Sequence, residues 1–265
     1  MRRPTAPRVA TRTLAVALGA LVGAVLLSGS DEPVTAHPFP PWQEIAPPPL
    51  PARADALGVR VGPRVLVLGG VRPDGARARD GAAYDLRTGL WRRLHAPAAF
   101  TSRDDAVAAG GVVVIRHRRA AGPATWWTYD ASSAGWTRMR HLPAHLTTPS
   151  AFGSEVYALS GRHVIVYSVQ LGRWTALPAD RLRPGLAGRS VTATAHGTLV
   201  TGRLRARRFV DRWDGLAWHR SRLHDRPTGL RAVLPPGAPR RGGTSVAVGG
   251  RRLVVAAGQA WIFTP

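Results

Sequence analysis

The sequence predicts an all-β fold built from five copies of one four-stranded unit, and three observations predict it. Tryptophans recur at Trp42, Trp91, Trp136, Trp174 and Trp218, between 38 and 49 residues apart. Before each of the last four stands an aromatic residue, followed by Asp in three of them, and before that a short β-rich apolar run, most of which end in glycine. No unit carries the 3.6-residue apolar period of an amphipathic helix.

Within each unit the elements follow one order. The first strands are expected at 56–61, 105–109, 148–152, 191–195 and 244–248. Turns at Gly62-Pro63-Arg64, Gly110-Gly111, Gly153-Ser154, Gly197 and Gly249-Gly250 lead into the second strands, which read Val65 to Gly70, Val112 to Ile115, Val156 to Gly161, Leu199 to Gly202 and Leu253 to Gly258. The third strands end in the pairs Tyr84-Asp85, Tyr129-Asp130, Tyr167-Ser168 and Trp213-Asp214. Turn formers such as Thr88-Gly89 and Gly172 then open the Trp-bearing fourth strand. The last unit stops at Pro265 after three strands, whereas Trp42-Gln43-Glu44-Ile45 is a fourth strand with no preceding three. Pairing the two ends completes five units.

The run Val65-Leu66-Val67-Leu68-Gly69-Gly70, followed by Tyr84-Asp85, Thr88-Gly89 and Trp91, resembles the kelch repeat of galactose-oxidase-like β-propellers. The later units are degenerate versions of it, and the likeness covers roughly residues 42 to 265. A quinoprotein-type propeller shares the turn and Trp spacing but not the double glycine. The resemblance implies a propeller of five four-stranded blades, closed by the N-terminal strand as the outer edge of the last blade. First strands rich in Ala, Gly, Ser, Thr and Val, Phe152 excepted, suit crowding around a narrow axis. Trp42, Trp91, Trp136, Trp174, Trp218, Tyr84, Asp85, Tyr129 and Asp130 are then blade-building residues, the aromatics packing between blades and the acids fixing turns.

Composition narrows the function classes. Of 265 residues, 45% are hydrophobic, enough for a real core. All 37 basic residues are Arg against 15 acids, giving a net charge of +22. Absent Lys and Asn match the bias of a GC-rich bacterial genome, but the shortage of acids still implies an anion-attracting, salt-sensitive surface. The arginines are scattered and no nucleic-acid motif accompanies them, so nucleic acid is not the expected partner. The absence of Cys excludes disulfides, thiolate sites and the copper-radical chemistry of galactose oxidase, whose cofactor needs a Tyr crosslinked to Cys.

Arg2, Arg3, Arg8 and Arg12 precede an apolar run from Leu14 to Leu27, and Val34-Thr35-Ala36 offers small residues for a signal peptidase. Residues 1–36 are expected to be a signal peptide or an uncleaved anchor, and 37–265 an exported propeller domain, extracellular or in the cell envelope. Leu26-Leu27-Ser28-Gly29-Ser30 resembles a lipoprotein box with Ser30 where the acylated Cys would stand.

Candidate chemistry is sparse. No His-Glu-x-x-His, nucleophile elbow or Walker loop occurs, and His141 and His145 flank Pro143, so neither a metal nor another cofactor is expected. Asp104-Asp105 is the only adjacent acidic pair after residue 36, expected at the mouth of a first strand in a salt bridge beside Arg103. Trp126-Trp127 puts two rings on opposite faces of one strand, at most one in the core, leaving the other as a possible sugar-stacking platform. The loops between second and third strands carry Arg72, Arg77 and Arg79 in the first blade, Arg116, Arg118 and Arg119 in the second, and Arg203, Arg205, Arg207 and Arg208 in the fourth. Equivalent loops share one face of a propeller, so these arginines should form a rim suited to an anionic envelope polymer or an acidic protein. The expectation is therefore a monomeric binding module. The competing one is a carbohydrate-active enzyme such as a sugar epimerase, which a cluster of acids and bases at the channel mouth would favour.

Overall fold

Alternating small and β-branched residues between glycine turns fold here as twenty strands in five antiparallel sheets of four. The structure, a computed structural model, describes residues 42–182, 186–204, 207–221, 244–248, 251–256 and 258–263. Contacts divide the chain into Met1–Pro38 and Phe39–Pro265, and every described residue belongs to the second unit. The expected export segment lies outside the described residues. No helix occurs among the described residues.

Blade one comprises β2 (Leu57–Val61), β3 (Arg64–Leu68), β4 (Asp80–Asp85) and β5 (Leu90–His95). Blade two is β6 (Asp105–Ala109), β7 (Val112–His117), β8 (Thr125–Asp130) and β9 (Gly135–Arg138). Blade three is β10 (Ser150–Phe152), β11 (Glu155–Ser160), β12 (His163–Ser168) and β13 (Arg173–Ala176). Blade four is β14 (Ala187–Thr194), β15 (Gly197–Leu204), β16 (Arg207–Trp213) and β17 (Trp218–Ser221). Blade five takes β18 (Thr244–Val248), β19 (Arg251–Ala256) and β20 (Gln259–Phe263) from the C-terminal end and β1 (Trp42–Ile45) from the N-terminal side. Its sheet order is β1-β20-β19-β18, with Gln43 opposite Ile262 and Ile45 opposite Ala260. The protein is thus a five-bladed β-propeller with the strand closure expected from its sequence.

Blades one, two and three are each sandwiched between two others, so their second strands must be apolar on both faces. In β3, Val65 and Val67 face blade five, where they meet Val246, Leu253 and Val255. Leu66 and Leu68 face blade two and pack with Val113, Ile115 and Tyr129. This is why the strand reads as a continuous apolar run rather than an alternating one. Val114, Trp126, Val156 and Ile165 join blades two and three, and Leu159, Val164, Val200 and Trp218 join blades three and four. Burying each such side chain contributes about 1.5–3 kcal/mol.

The first strands pack in the order β18, β2, β6, β10, β14 around the axis. Crowding there is severe at Gly58, where a Cβ would come 2.4 Å from Val246 Cγ2. Phe152, the one aromatic residue of these strands, is 48% exposed. The fourth-blade strand starts earlier than expected, at Ala187, with a register shift between Ala187 and Ser190.

Candidate functional site

Hydrogen bonds define the two faces. On one, the turns between first and second strands meet, as where Gly110 N–H donates to Gly153 O at 2.9 Å. On the other, the loops between second and third strands lie beside the inter-blade connectors: Gly70 N–H donates to Phe100 O and Asp180 N–H to Arg162 O. Of the rim arginines named from the sequence, Arg72, Arg77, Arg79, Arg118 and Arg119 lie in loops of this second face, whereas Arg116, Arg203, Arg207 and Arg208 stand at the strand ends that flank them, in β7, β15 and β16.

At its centre is a cavity of about 380 Å³, lined by Leu57, Ser102, Asp104, Asp105, Thr148 and Thr244 among others. These residues stand at or just before the starts of the first strands, so the cavity is the mouth of the axial channel. Asp105 accepts from Arg116 Nη1 at 3.0 Å and from Arg118 Nη2 at 3.0 Å, and Thr148 Oγ1 from blade three is 3.4 Å away. Two guanidiniums, Arg116 and Arg118, face two carboxylates, Asp104 and Asp105, so these charges balance at the mouth. Asp104, buried, accepts Thr101 N–H at 2.8 Å and Arg118 N–H at 2.7 Å, and its Oδ1 is 3.1 Å from His117 Nδ1. The expectation of a salt bridge at the mouth therefore holds, but the partners are Arg116, Arg118 and His117. Arg103 sits on the surface instead, because the register of β6 against β7 places Asp105 opposite Arg116.

The other rim residues differ in freedom. Arg77, Arg79, Arg119 and Arg203 are exposed and form no ion pair among the described residues, and Arg208 is likewise exposed. Arg72 is half-buried. Arg205 and the side chain of Arg207 lie outside the described residues. Arg53, which sequence reasoning passed over, is buried and ties the first connector to blade one through Asp80 Oδ1 at 2.8 Å and Gly69 O at 3.0 Å.

The repeated aromatics pair across the third and fourth strands of their blades. Tyr84 opposes Trp91, Tyr129 opposes Trp136, Tyr167 opposes Trp174 and Trp213 opposes Trp218, each pair tilted with ring centroids 4.8–5.4 Å apart. β1 carries Trp42 in its expected strand, its side chain lying outside the described residues. The acids cap the turns: Asp85 accepts Arg87 N–H, Asp130 accepts Ser132 N–H, and Asp214 accepts Leu216 and Ala217 N–H. Of the pair Trp126-Trp127, one ring is in the core and the other is not. Trp126 is buried against Trp174 toward blade three, and Trp127 is half-buried against the blade one–two cluster. Both faces of a blade are interfaces, so neither ring is left as an open stacking platform.

These caps set an acid limit on stability. Backbone hydrogen bonds from Ala217 and Leu216 hold the Asp214 carboxyl down at about 2; the Arg87 backbone N–H lowers Asp85, the Ser132 hydroxyl and then its backbone N–H lower Asp130, and the Arg53 side chain lowers Asp80. A carboxylate with a depressed folded pKa stabilises the fold above its unfolded value, about 3.9, and loses that contribution as the pH falls through the folded value. The melting temperature should therefore fall between about pH 4 and pH 2, and Asp80→Asn should make that acid limb shallower while lowering the plateau. Melting curves against pH check both.

His141 and His145 both adopt left-handed backbone, with φ of 53° and 54°, in a connector that is not helical. No cluster of three His, Cys, Asp or Glu that could hold a metal occurs among the described residues.

No family model matches the sequence, and no curated protein matches it. Among solved structures the chain is similar to that of YjhT, at 14% identity over 80% of each chain and a TM-score of 0.44.

Proposed function

We propose that this is an exported, kelch-type propeller that acts as a binding module and takes an anionic cell-envelope polymer across the face holding the channel mouth. The observation that carries the proposal is the set of exposed guanidiniums at Arg77, Arg79, Arg119 and Arg203, in or flanking the loops between second and third strands of three blades and without carboxylate partners among the described residues. Guanidinium is a planar, permanently charged donor fork that grips phosphate and carboxylate bidentately. Arg116 and Arg118 are held in ion pairs by Asp105 inside the rim and leave the free charge to the exposed arginines. The segment from Arg2 to Ala36 supplies export in this reading, and a single propeller needs no second subunit to present the rim.

Replacing Arg77, Arg79, Arg119 and Arg203 with Gln should leave the melting temperature nearly unchanged, since exposed substitutions usually stay within about 0.5 kcal/mol each. Retention on immobilised poly(glycerol phosphate) and on isolated envelope should fall at least tenfold, roughly 1.4 kcal/mol. Unchanged retention of the variant would overturn the proposal.

A second reading, a carbohydrate-active enzyme such as a sugar epimerase, is supported by Asp104 and His117 at the channel mouth. Against it, both oxygens of Asp104 are engaged by Thr101, Arg118 and His117. Interconversion of sugar anomers by wild-type protein but not by His117→Gln would favour this reading over the first.

A further inference from the structure

Between blades two and three, at the circumference and away from the channel mouth, a groove of about 530 Å³ opens. Trp136, Arg138, Met139 and Arg140 from β9 and the segment after it form one wall, and Tyr167 and Trp174 of blade three form the other. The volume lies in the range of small-molecule sites.

Comparison with the other junctions shows what is unusual here. In two of them the fourth-strand indole is satisfied by the connector after the preceding blade. Trp91 Nε1 donates to Ala46 O at 2.6 Å and Trp218 Nε1 to Pro178 O at 2.8 Å, each acceptor four residues after the Trp of that blade. The equivalent acceptor for Trp174 would be Arg140 O. Instead the connector turns at His141, and Trp174 Nε1 is buried with no hydrogen-bond partner among the described residues. A buried, unmade hydrogen bond of this kind costs about 1–3 kcal/mol, and it marks where the connector of this junction departs from the path taken at the other two.

Charge differs in the same way. The corresponding groove between blades one and two is about 270 Å³ and contains Asp85, whose Oδ2 lies 3.7 Å from Arg64 Nε. The blade two–three groove has Arg138 and Arg140 in its lining and no carboxylate. Both arginines are exposed and form no ion pair among the described residues.

We propose that this groove is a second binding site, for an acidic saccharide, whose carboxylate is taken by Arg138 and Arg140 and whose ring lies against Trp136, Tyr167 and Trp174. Half-buried aromatic walls offer apolar contact to the C–H face of a pyranose, and the guanidiniums take the carboxylate. An acidic peptide would use the two charges but leave the aromatic walls without a matching flat partner. The site is independent of the rim, which lies on the loop face and does not include these residues.

The test uses tri-galacturonate as probe, with tryptophan fluorescence and heteronuclear NMR on the intact protein. Addition should perturb the indole signals of Trp136 and Trp174 and leave those of Trp91 and Trp218 in place. The double variant Arg138→Gln, Arg140→Gln, with near-UV circular dichroism checked for an intact fold, should bind at least tenfold more weakly, the scale of one lost charge-assisted hydrogen bond. The four-residue rim variant should bind as the wild type does, and neutral maltotriose should bind far more weakly. Equal affinity in the double variant, perturbation confined to the loop face, or triglutamate binding as tightly as the saccharide would each overturn the assignment.

Discussion

Gly69→Ala is expected to lower the melting temperature by 10 °C or more. Gly69 has φ of 63°, and a Cβ there would lie 2.0 Å from the carbonyl oxygen of Phe100. That oxygen accepts the Gly70 N–H at 2.8 Å, Phe100 is fully buried in the blade one–two cluster, and Gly69 O accepts from Arg53. The new methyl group can be accommodated only by moving the connector away and breaking these bonds. Left-handed backbone costs a non-glycine residue about 1–2 kcal/mol, overpacking about 1–3 kcal/mol and each lost hydrogen bond about 1 kcal/mol. At roughly 2–4 °C per kcal/mol for a domain of this size, the sum is a loss of 10 °C or more. Gly75→Ala is the control, since Gly75 has φ of 82° with nothing within 4 Å of a Cβ; it should cost only the backbone term. Equal melting temperatures for the two variants would show that Gly69 does not lock the connector to blade one.

Removing residues 37–46 should have an effect of similar size. It deletes β1, strips four residue pairs from β20, removes Ile45 from the blade five–one cluster and takes away the carbonyl that accepts the Trp91 indole. Hydrogen bonds at about 1 kcal/mol each and the packing of Ile45 put the loss near 4 kcal/mol. The bared edge of β20 should also pair with other copies, so the variant should elute from size exclusion as higher oligomers. A deletion variant that kept its melting temperature and stayed monomeric would mean that β1 does not close the last blade.

The strands were legible because a blade imposes local rules on the chain. Tyr84-Asp85 before Thr88-Gly89 and Trp91 states a third strand, a carboxylate-capped turn and a fourth strand within eight residues, and the structure repeats that arrangement at Tyr129, Tyr167 and Trp213. Closure was legible from the unpaired ends, since a lone fourth strand and a three-stranded last unit complete each other. The site was less so. Whether an arginine is free depends on cross-strand register: Asp105 neutralises Arg116 and Arg118 because β6 and β7 bring them together, whereas Arg77 and Arg119 differ from them in no local sequence feature. Asp104 and His117, 13 residues apart, needed the same register. That Trp127 is not an open platform was not legible either, because alternation along one strand does not record that blade two is covered on both faces. The blade two–three groove depends on the path of one connector after Arg140, which no periodicity records.

Binding of the wild-type protein to immobilised poly(glycerol phosphate), measured across a series of NaCl concentrations with neutral dextran as the reference surface, tests the anionic-polymer function most directly. Exposed charges are screened beyond roughly 10 Å at 0.1 M salt and 3 Å at 1 M, so a guanidinium rim predicts tight retention at low salt, steep loss as salt rises, and no retention on dextran at any salt. Retention that is indifferent to salt, or equal on the neutral surface, would contradict it.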